Sequence, residues 1–300
     1  MKLIIRADDV GYTDVYNIGA FETIDRGVVT SADVMLDTPG TVDALERLKS
    51  LPWISVGWHE HFWGAPVLDP SQVPSMVIEE DGRIRFRKDL RTSDDVVLDE
   101  ALAECRAQID LCVSTLGRAP DTHCTGMDRE TPLSCAIRQV CDEYGIARDF
   151  ARRERIVNGA PVYSQVQEKW ARRNIYILDF MRAYQDLHTD SLTEIEKYDP
   201  ARYYIEDRGR MASFGEDDIL EQAWHPGYMD YYAYRMGDYS PFARNFALAR
   251  VVDVEALCSE RLKNWIRENR VELVNFRDAL YGTREYQNHL RAIGSDLCVI

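Results

Sequence analysis

The chain has little with which to hold a polyanion, a membrane or a disulfide framework. Its 36 lysines and arginines are outnumbered by 51 aspartates and glutamates, a formal charge of −15. A nucleic-acid backbone is therefore repelled rather than bound. No run approaches the roughly 20 apolar residues needed to span a bilayer. The first apolar stretch, Leu3 to Ile5, sits too close to charge to be the core of a signal peptide. The seven cysteines form no CxxC pair. An odd, scattered set reads as reduced thiols, with Cys124 a small filler, and the expectation is a cytoplasmic protein. Repeats, low-complexity tracts and linkers are also missing. The 300 residues, 45% hydrophobic, thus read as one domain with a full-sized core. Histidine is scarce, six in all, and that scarcity makes its positions informative.

What is present is an alternation of short apolar strands and amphipathic helices, the pattern of a mostly parallel α/β fold. Strands are expected at 3–7, 28–36, 54–58, into His225, and at 271–276. Helices are expected from about Val15 to Gly27, over 41–51, 98–116 and 132–144, and from Val254 to Asn269. Pro132 and Gly145 bracket one of them in the way proline and glycine mark helix ends. Residues 62–95 lack periodicity, and a long loop in a compact enzyme is often functional. Residues 150–215 are rich in charge and aromatics and are expected to be an insertion that covers the substrate.

Four segments carry chemistry. Ala7-Asp8-Asp9-Val10-Gly11 follows the first strand, where parallel α/β enzymes build their sites. Two adjacent carboxylates there can divide labour between binding a metal and serving as a base; the plain alternative is a solvated turn. Gly57-Trp58-His59-Glu60-His61-Phe62 closes the third strand. If the strand continues, His59 and His61 share a face and can reach one ion, with Trp58, Phe62 and Trp63 as a pocket wall. Asp121-Thr122-His123 offers a third imidazole with Asp121 as the carboxylate behind it. Trp224-His225-Pro226-Gly227-Tyr228 leaves His225 at a strand end among aromatics that could face a sugar ring. The plain alternative for the His59 and His61 pair is an ordinary hydrogen-bonded pair, and His123 alone could equally be structural. His188 and His289 sit in polar surroundings and read as surface residues.

With these motifs in order, the sequence resembles the YdjC-like (ChbG/HpnK) family of carbohydrate deacetylases. The likeness runs from the opening Asp8-Asp9 through Gly57-Trp58-His59, Pro120 to His123, Tyr144-Gly145-Ile146 and His225-Pro226-Gly227 to Phe276-Arg277-Asp278. The resemblance implies a deformed (β/α) barrel of mostly parallel strands related to polysaccharide deacetylases, often dimeric. It implies one divalent metal and an N-acetylated sugar or chito-oligosaccharide as substrate. Asp9, His59 and His123 would be the metal ligands, Asp8 the general base and His225 the catalytic acid. His61, Trp63, Arg148, Arg152, Trp224 and Tyr228 are the candidates for substrate contact. The likeness favours magnesium, and a nitrogen-and-oxygen ligand set accepts zinc as well. The chain departs from the family in carrying Thr125 and Met127 where further histidines usually stand, and His61 in place of an asparagine. Arg148 and Arg152 compete for the place of the family's arginine.

Two other readings compete. One is another metal-dependent sugar hydrolase or isomerase on the same fold, against which stands the lack of a ring of carboxylates or of His-x-His after the first strand. The other is a sugar-binding or regulatory protein that has lost turnover, favoured by the missing histidines.

Overall fold

The computed structural model describes residues 1–80, 82–123, 130–148, 150–164, 173–187, 197–236 and 241–300. Cys124, Thr125, Met127 and His188 lie outside them.

The sequence KLIIRADDV forms β1, Lys2–Val10, and all of it but Lys2 is buried. A strand buried on both faces belongs in the middle of a parallel sheet. There β1 lies, between β2 (Ser31–Val34) and β10 (Ile219–Trp224), both parallel to it. Among the described residues the sheet order is β6 (Thr122–His123), β3 (Ser55–Trp58), β2, β1, β10, β9 (Ile175–Ile177), β7 (Arg152–Val157), β8 (Ala160–Ser164), with β11 (Glu272–Leu273) paired to the start of β1. Only β7 and β8 pair antiparallel within it. A separate hairpin joins β4 (Val77–Glu80) to β5 (Arg83–Phe86).

Helices fill the connections: α1 (Asp14–Asp25), α2 (Thr41–Leu48), α3 (Leu98–Leu116), α4 (Pro132–Tyr144), α5 (Phe180–Ala183), α6 (Pro200–Ile205), α7 (Tyr231–Met236), α8 (Pro241–Cys258), α9 (Glu260–Glu268), α10 (Phe276–Tyr281) and α11 (Glu285–Ala292). Their ends follow local chemistry. Thr131 caps α4 and exchanges hydrogen bonds with Ser134, Pro132 opens the helix, and Gly145 closes it at φ 70°.

The sheet curls. Leu3, Ile5 and Ala7 face the large core, whereas Ile4 joins a small cluster with Ala147, Phe150, Ile175 and Ile219. Ala147 bridges Thr122 beyond β6. A flat sheet with strands about 4.8 Å apart would hold it about 19 Å from β1. The curl is that of a deformed barrel, and strand pairing among the described residues runs open from β6 to β8.

The structure departs from the sequence expectations in three places. The segment 150–215 supplies β7, β8 and β9 to the main sheet. The helix expected over 254–269 is two helices, because the Ser259 side chain accepts from Leu262 N–H and starts α9 afresh. The last strand stops at Leu273, and Asn275 caps α10 from Phe276.

Candidate active site

Along β1, alternation sends Ile4, Arg6 and Asp8 to the inner face. A regular strand would turn Asp9 away from Asp8. Instead Asp9 is left-handed, at φ 59°, where the register against β2 slips between Ala7 and Val10. Aspartate is one of the few residues that tolerate this conformation. The irregularity lets both carboxylates reach one imidazole. The ligand atoms of Asp9, His59 and His61 lie within 4.8 Å of one another, and so do those of Asp8, Asp33 and His59.

Asp9 Oδ1 is 2.9 Å from His59 Nε2 and 3.7 Å from His61 Nε2, while Oδ2 is 2.7 Å from an Arg250 nitrogen. Asp9 Oδ1 accepts no hydrogen bond of ordinary geometry. Two ligands at about 2.1 Å from one octahedral ion stand about 3 Å apart, so the Asp9–His59 separation fits a shared cation. The electrostatics agree. Burial opposes charge on Asp9, yet the Arg250 guanidinium holds its carboxyl well below the usual range. Burial likewise opposes charge on His59, but Asp8 and Asp9 outweigh it and raise the imidazole to about 9. A field that holds a proton there can hold a divalent cation.

Beneath lies a charged floor. Arg6 donates to both oxygens of Asp8, at 2.6 and 3.0 Å, and its Nε is 3.4 Å from Asp33 and 3.5 Å from Glu221. Gly57 makes the room: a methyl there would lie 2.1 Å from Asp33 Oδ1. Burial pushes Glu221 up to about 7.

The two histidines converge differently from expectation. β3 ends at Trp58, and His61 N–H donates to His59 C=O at 3.0 Å, a turn of three residues. Their rings meet edge to face at 4.2 Å. The turn throws Glu60 to another side, where its carboxylate is 3.0 Å from His123 Nε2. His123 is thus not in the group that Asp9 and His59 form. Asp121, expected behind it, is taken by Arg118, Arg277 and the Val56 N–H. Glu60 lay in plain sight between two histidines, and its burial was the missing signal. Arg91 adds a decisive contact, an N–H 3.1 Å from His61 Nδ1. A guanidinium only donates, so Nδ1 accepts and neutral His61 carries its proton on Nε2, the nitrogen facing Asp9. Burial, with His59 alongside, pushes His61 down to about 3.

His225 closes the opposite wall, its Nε2 3.9 Å from Asp8 Oδ2. Burial lowers it to about 4. Its Nδ1 is 3.1 Å from the Tyr184 hydroxyl, which donates to Asp253 at 2.8 Å.

The other candidates separate. Trp63 stacks on His61 at 4.2 Å and is 37% exposed, beside Tyr12. Trp58 and Phe62 are core residues, not pocket wall. Trp224 has no exposed surface and donates to Tyr204 at 2.6 Å. Tyr228 donates to Glu22 on α1. Arg148 is paired with Asp142, and Arg152 with the Tyr176 hydroxyl. The buried arginines that meet Asp8 and Asp9 are Arg6 and Arg250. His289 is half-buried and stacks on Trp53 at 3.7 Å rather than facing solvent.

Carboxylates and imidazoles gathered at the carboxyl ends of parallel strands define the class: an α/β protein with buried Asp/His groups of the kind that could hold a metal ion. The sequence profile of the YdjC-like protein family matches residues 2–268, and the chain belongs to that family. It is 28% identical over 281 residues to a carbohydrate deacetylase of Enterococcus faecalis, covering 92% of this chain and 97% of that one. It is 24% identical over 284 residues to carbohydrate deacetylase 2 of Listeria innocua, covering 93% and 98%. The fold matches the crystal structure of an Enterococcus faecalis protein described as acting in cellobiose-phosphate cleavage. That match has a TM-score of 0.62 at 23% identity and covers 93% of this chain and 98% of the other. Among the described residues no helix is long and apolar enough to cross a membrane.

Proposed function

We propose that the chain is a metal-dependent deacetylase that hydrolyses the N-acetyl group of an amino sugar or short chito-oligosaccharide. The observation that carries this is the convergence of Asp8, Asp9 and His59, with His225 Nε2 3.9 Å from Asp8. Relatives named carbohydrate deacetylase over nearly their whole length support the sugar and the reaction. Asp9 and His59 would hold the ion, with magnesium favoured; the resemblance makes His123 a third ligand, whereas the structure sets its Nε2 against Glu60 and outside the Asp9–His59 group. His61 bears its proton toward Asp9 and acts as a donor. When bound, the ion supplies Lewis acidity at the acetyl carbonyl and acidifies a water.

The chain's own groups move the proton. Asp8 accepts it from the attacking water as the oxygen–carbon bond forms. The proton passes to His225 Nε2, which gives it to the leaving nitrogen as the carbon–nitrogen bond breaks. Acetate and a free amine result. Neither carrier holds the proton tightly: Arg6 outweighs burial and lowers Asp8, and burial lowers His225 to about 4. Trp63, exposed beside Tyr12, offers a face for a sugar ring. Tyr184, from the segment 150–215, packs edge-on against His225. The expected cytoplasmic location and dimer rest on the sequence alone.

Acetate release is the test, measured over N-acetylated mono- and oligosaccharides with magnesium, manganese, zinc or cobalt. We expect turnover that His225→Ala lowers by about 10²- to 10⁴-fold and that Asp9→Ala abolishes together with metal retention. Sugar binding without acetate release under any metal would instead favour a non-catalytic sugar-binding protein.

A further inference from the structure

Behind His225 lies a buried relay that the reaction above does not use. Asp253, on α8, accepts the Tyr184 hydroxyl at 2.8 Å on Oδ2 and the Tyr198 hydroxyl at 2.5 Å on Oδ1. The backbone N–H of His225 also donates to Asp253 Oδ2, at 3.0 Å. Asp253 and Tyr184 have no exposed surface, and Tyr198 has 4%. The two tyrosine rings stack at 5.6 Å, which fixes where both hydroxyl oxygens sit.

Counting protons fixes the roles. Each hydroxyl has one proton to give, and a carboxylate only accepts. Burial holds both tyrosine protons well above the ordinary phenol range and pushes Asp253 up to about 6, while the three donors that converge on its two oxygens favour the carboxylate form. Both hydroxyl protons therefore point at Asp253. The Tyr184 oxygen, which also accepts the His225 backbone N–H at 3.1 Å, has only a lone pair left for His225 Nδ1, 3.1 Å away. That nitrogen must carry the hydrogen. The bare nitrogen is then Nε2, the one turned to Asp8.

We propose that Tyr184 and Asp253 are positioning residues for His225: Asp253, acting through the Tyr184 hydroxyl, locks the imidazole as its Nδ1–H tautomer with Nε2 presented to the reacting groups. The same hydroxyl, backed by a buried carboxylate, stabilises the imidazolium formed when Nε2 takes up a proton. A carboxylate behind a histidine serves this end in hydrolytic triads; here a phenol stands between them. The inference rests on the reading of His225 as the group that protonates the leaving nitrogen.

The experiment combines ¹⁵N NMR of the histidine rings with steady-state acetate release, in the full chain loaded with magnesium. In the parent protein His225 should show the Nδ1–H pattern. Tyr184→Phe keeps the ring stack and removes the oxygen. It should move His225 toward a tautomer mixture and lower kcat by about 10- to 100-fold, with KM and bound metal changed less than about threefold. Asp253→Asn should do the same. Tyr198→Phe removes a hydrogen bond from the same carboxylate without touching the ring, and should leave the tautomer as it was. An Nε2–H pattern in the parent protein overturns the proposal. So does an unchanged tautomer and kcat in both Tyr184→Phe and Asp253→Asn. If His225→Ala keeps full turnover, the parent reading of His225 fails instead, while the tautomer measurement still judges the relay.

Discussion

His59 and His61 stand two positions apart, yet one hydrogen bond gives them different chemistry. Arg91 occupies the Nδ1 lone pair of His61, so the proton must sit on Nε2, and a protonated nitrogen cannot ligate an ion. His59 instead turns its Nε2 to Asp9 Oδ1, 2.9 Å away. An asparagine amide can also donate toward Asp9. We therefore expect His61→Asn to keep divalent-ion affinity within about tenfold, the lesser range for partners outside the ligand set, while His59→Ala abolishes it. Titration calorimetry measures both. A collapse in His61→Asn as deep as in His59→Ala would make His61 a ligand. At this scale the sequence revealed what its spacing revealed: Asp8, Asp9, His59 and His225 all come to one place. Arg6, Asp33 and Glu221 were hidden because a charged residue on a strand looks solvent-facing until its neighbours are known. Asp253 and Tyr184 were hidden because 69 residues separate the two.

Elements followed the sequence where periodicity and caps agreed, as in β1, α3 and α4. They escaped it where pairing is long-range. β9 is only Ile175–Ile177 and exists because β10 hydrogen-bonds it in parallel register; three residues carry no detectable period. The aperiodic stretch 62–95 is no free loop either. Asp37 accepts the Gly64 N–H at 2.7 Å, and Glu104 on α3 accepts those of Val67 and Leu68 at 3.0 and 3.1 Å. These buried carboxylates pin the stretch that carries Trp63 at one end and Arg91 at the other. Burial pushes Asp37 up to about 7. The folded protein then binds that proton more tightly than the unfolded chain does. The contribution to stability is present below the ordinary aspartate value near 4 and is lost as pH rises through about 7. Asp37→Asn removes the titration and keeps an acceptor. Its stability relative to the parent protein should increase from pH 5 to pH 8 in urea unfolding. A pH-independent difference would mean that Asp37 is ionised throughout.

Among the described residues, carboxylates crowd the interior around the site. Asp8, Asp9, Asp33, Glu60 and Glu221 are at most 4% exposed; Asp8, Asp33 and Glu221 gather on Arg6 and Asp9 on Arg250, both comparably buried, while Glu60 faces His123. Carboxylates buried close together repel one another, and proteins neutralise such charge. Protons on Glu221 and His59 offer one remedy: burial raises Glu221 to about 7, and Asp8 and Asp9 outweigh burial to raise His59 to about 9. A divalent cation offers the stronger one, because it answers two charges at one point. Fold and site are therefore coupled: an ion that binds only the folded state stabilises it by mass action. At about a hundredfold excess over its dissociation constant this amounts to about 2.7 kcal/mol, a rise in Tm of roughly 4–8 °C. The proton on His59 must leave for the ion to bind. The rise should accordingly be smaller at pH 6, further below the His59 value of about 9, than at pH 8. Asp9→Ala should flatten it at both. Differential scanning calorimetry with and without chelator reads all of this directly. A Tm indifferent to every divalent ion at pH 8 would mean that protons alone settle the surplus, and that the carboxylates were gathered here for something other than a metal.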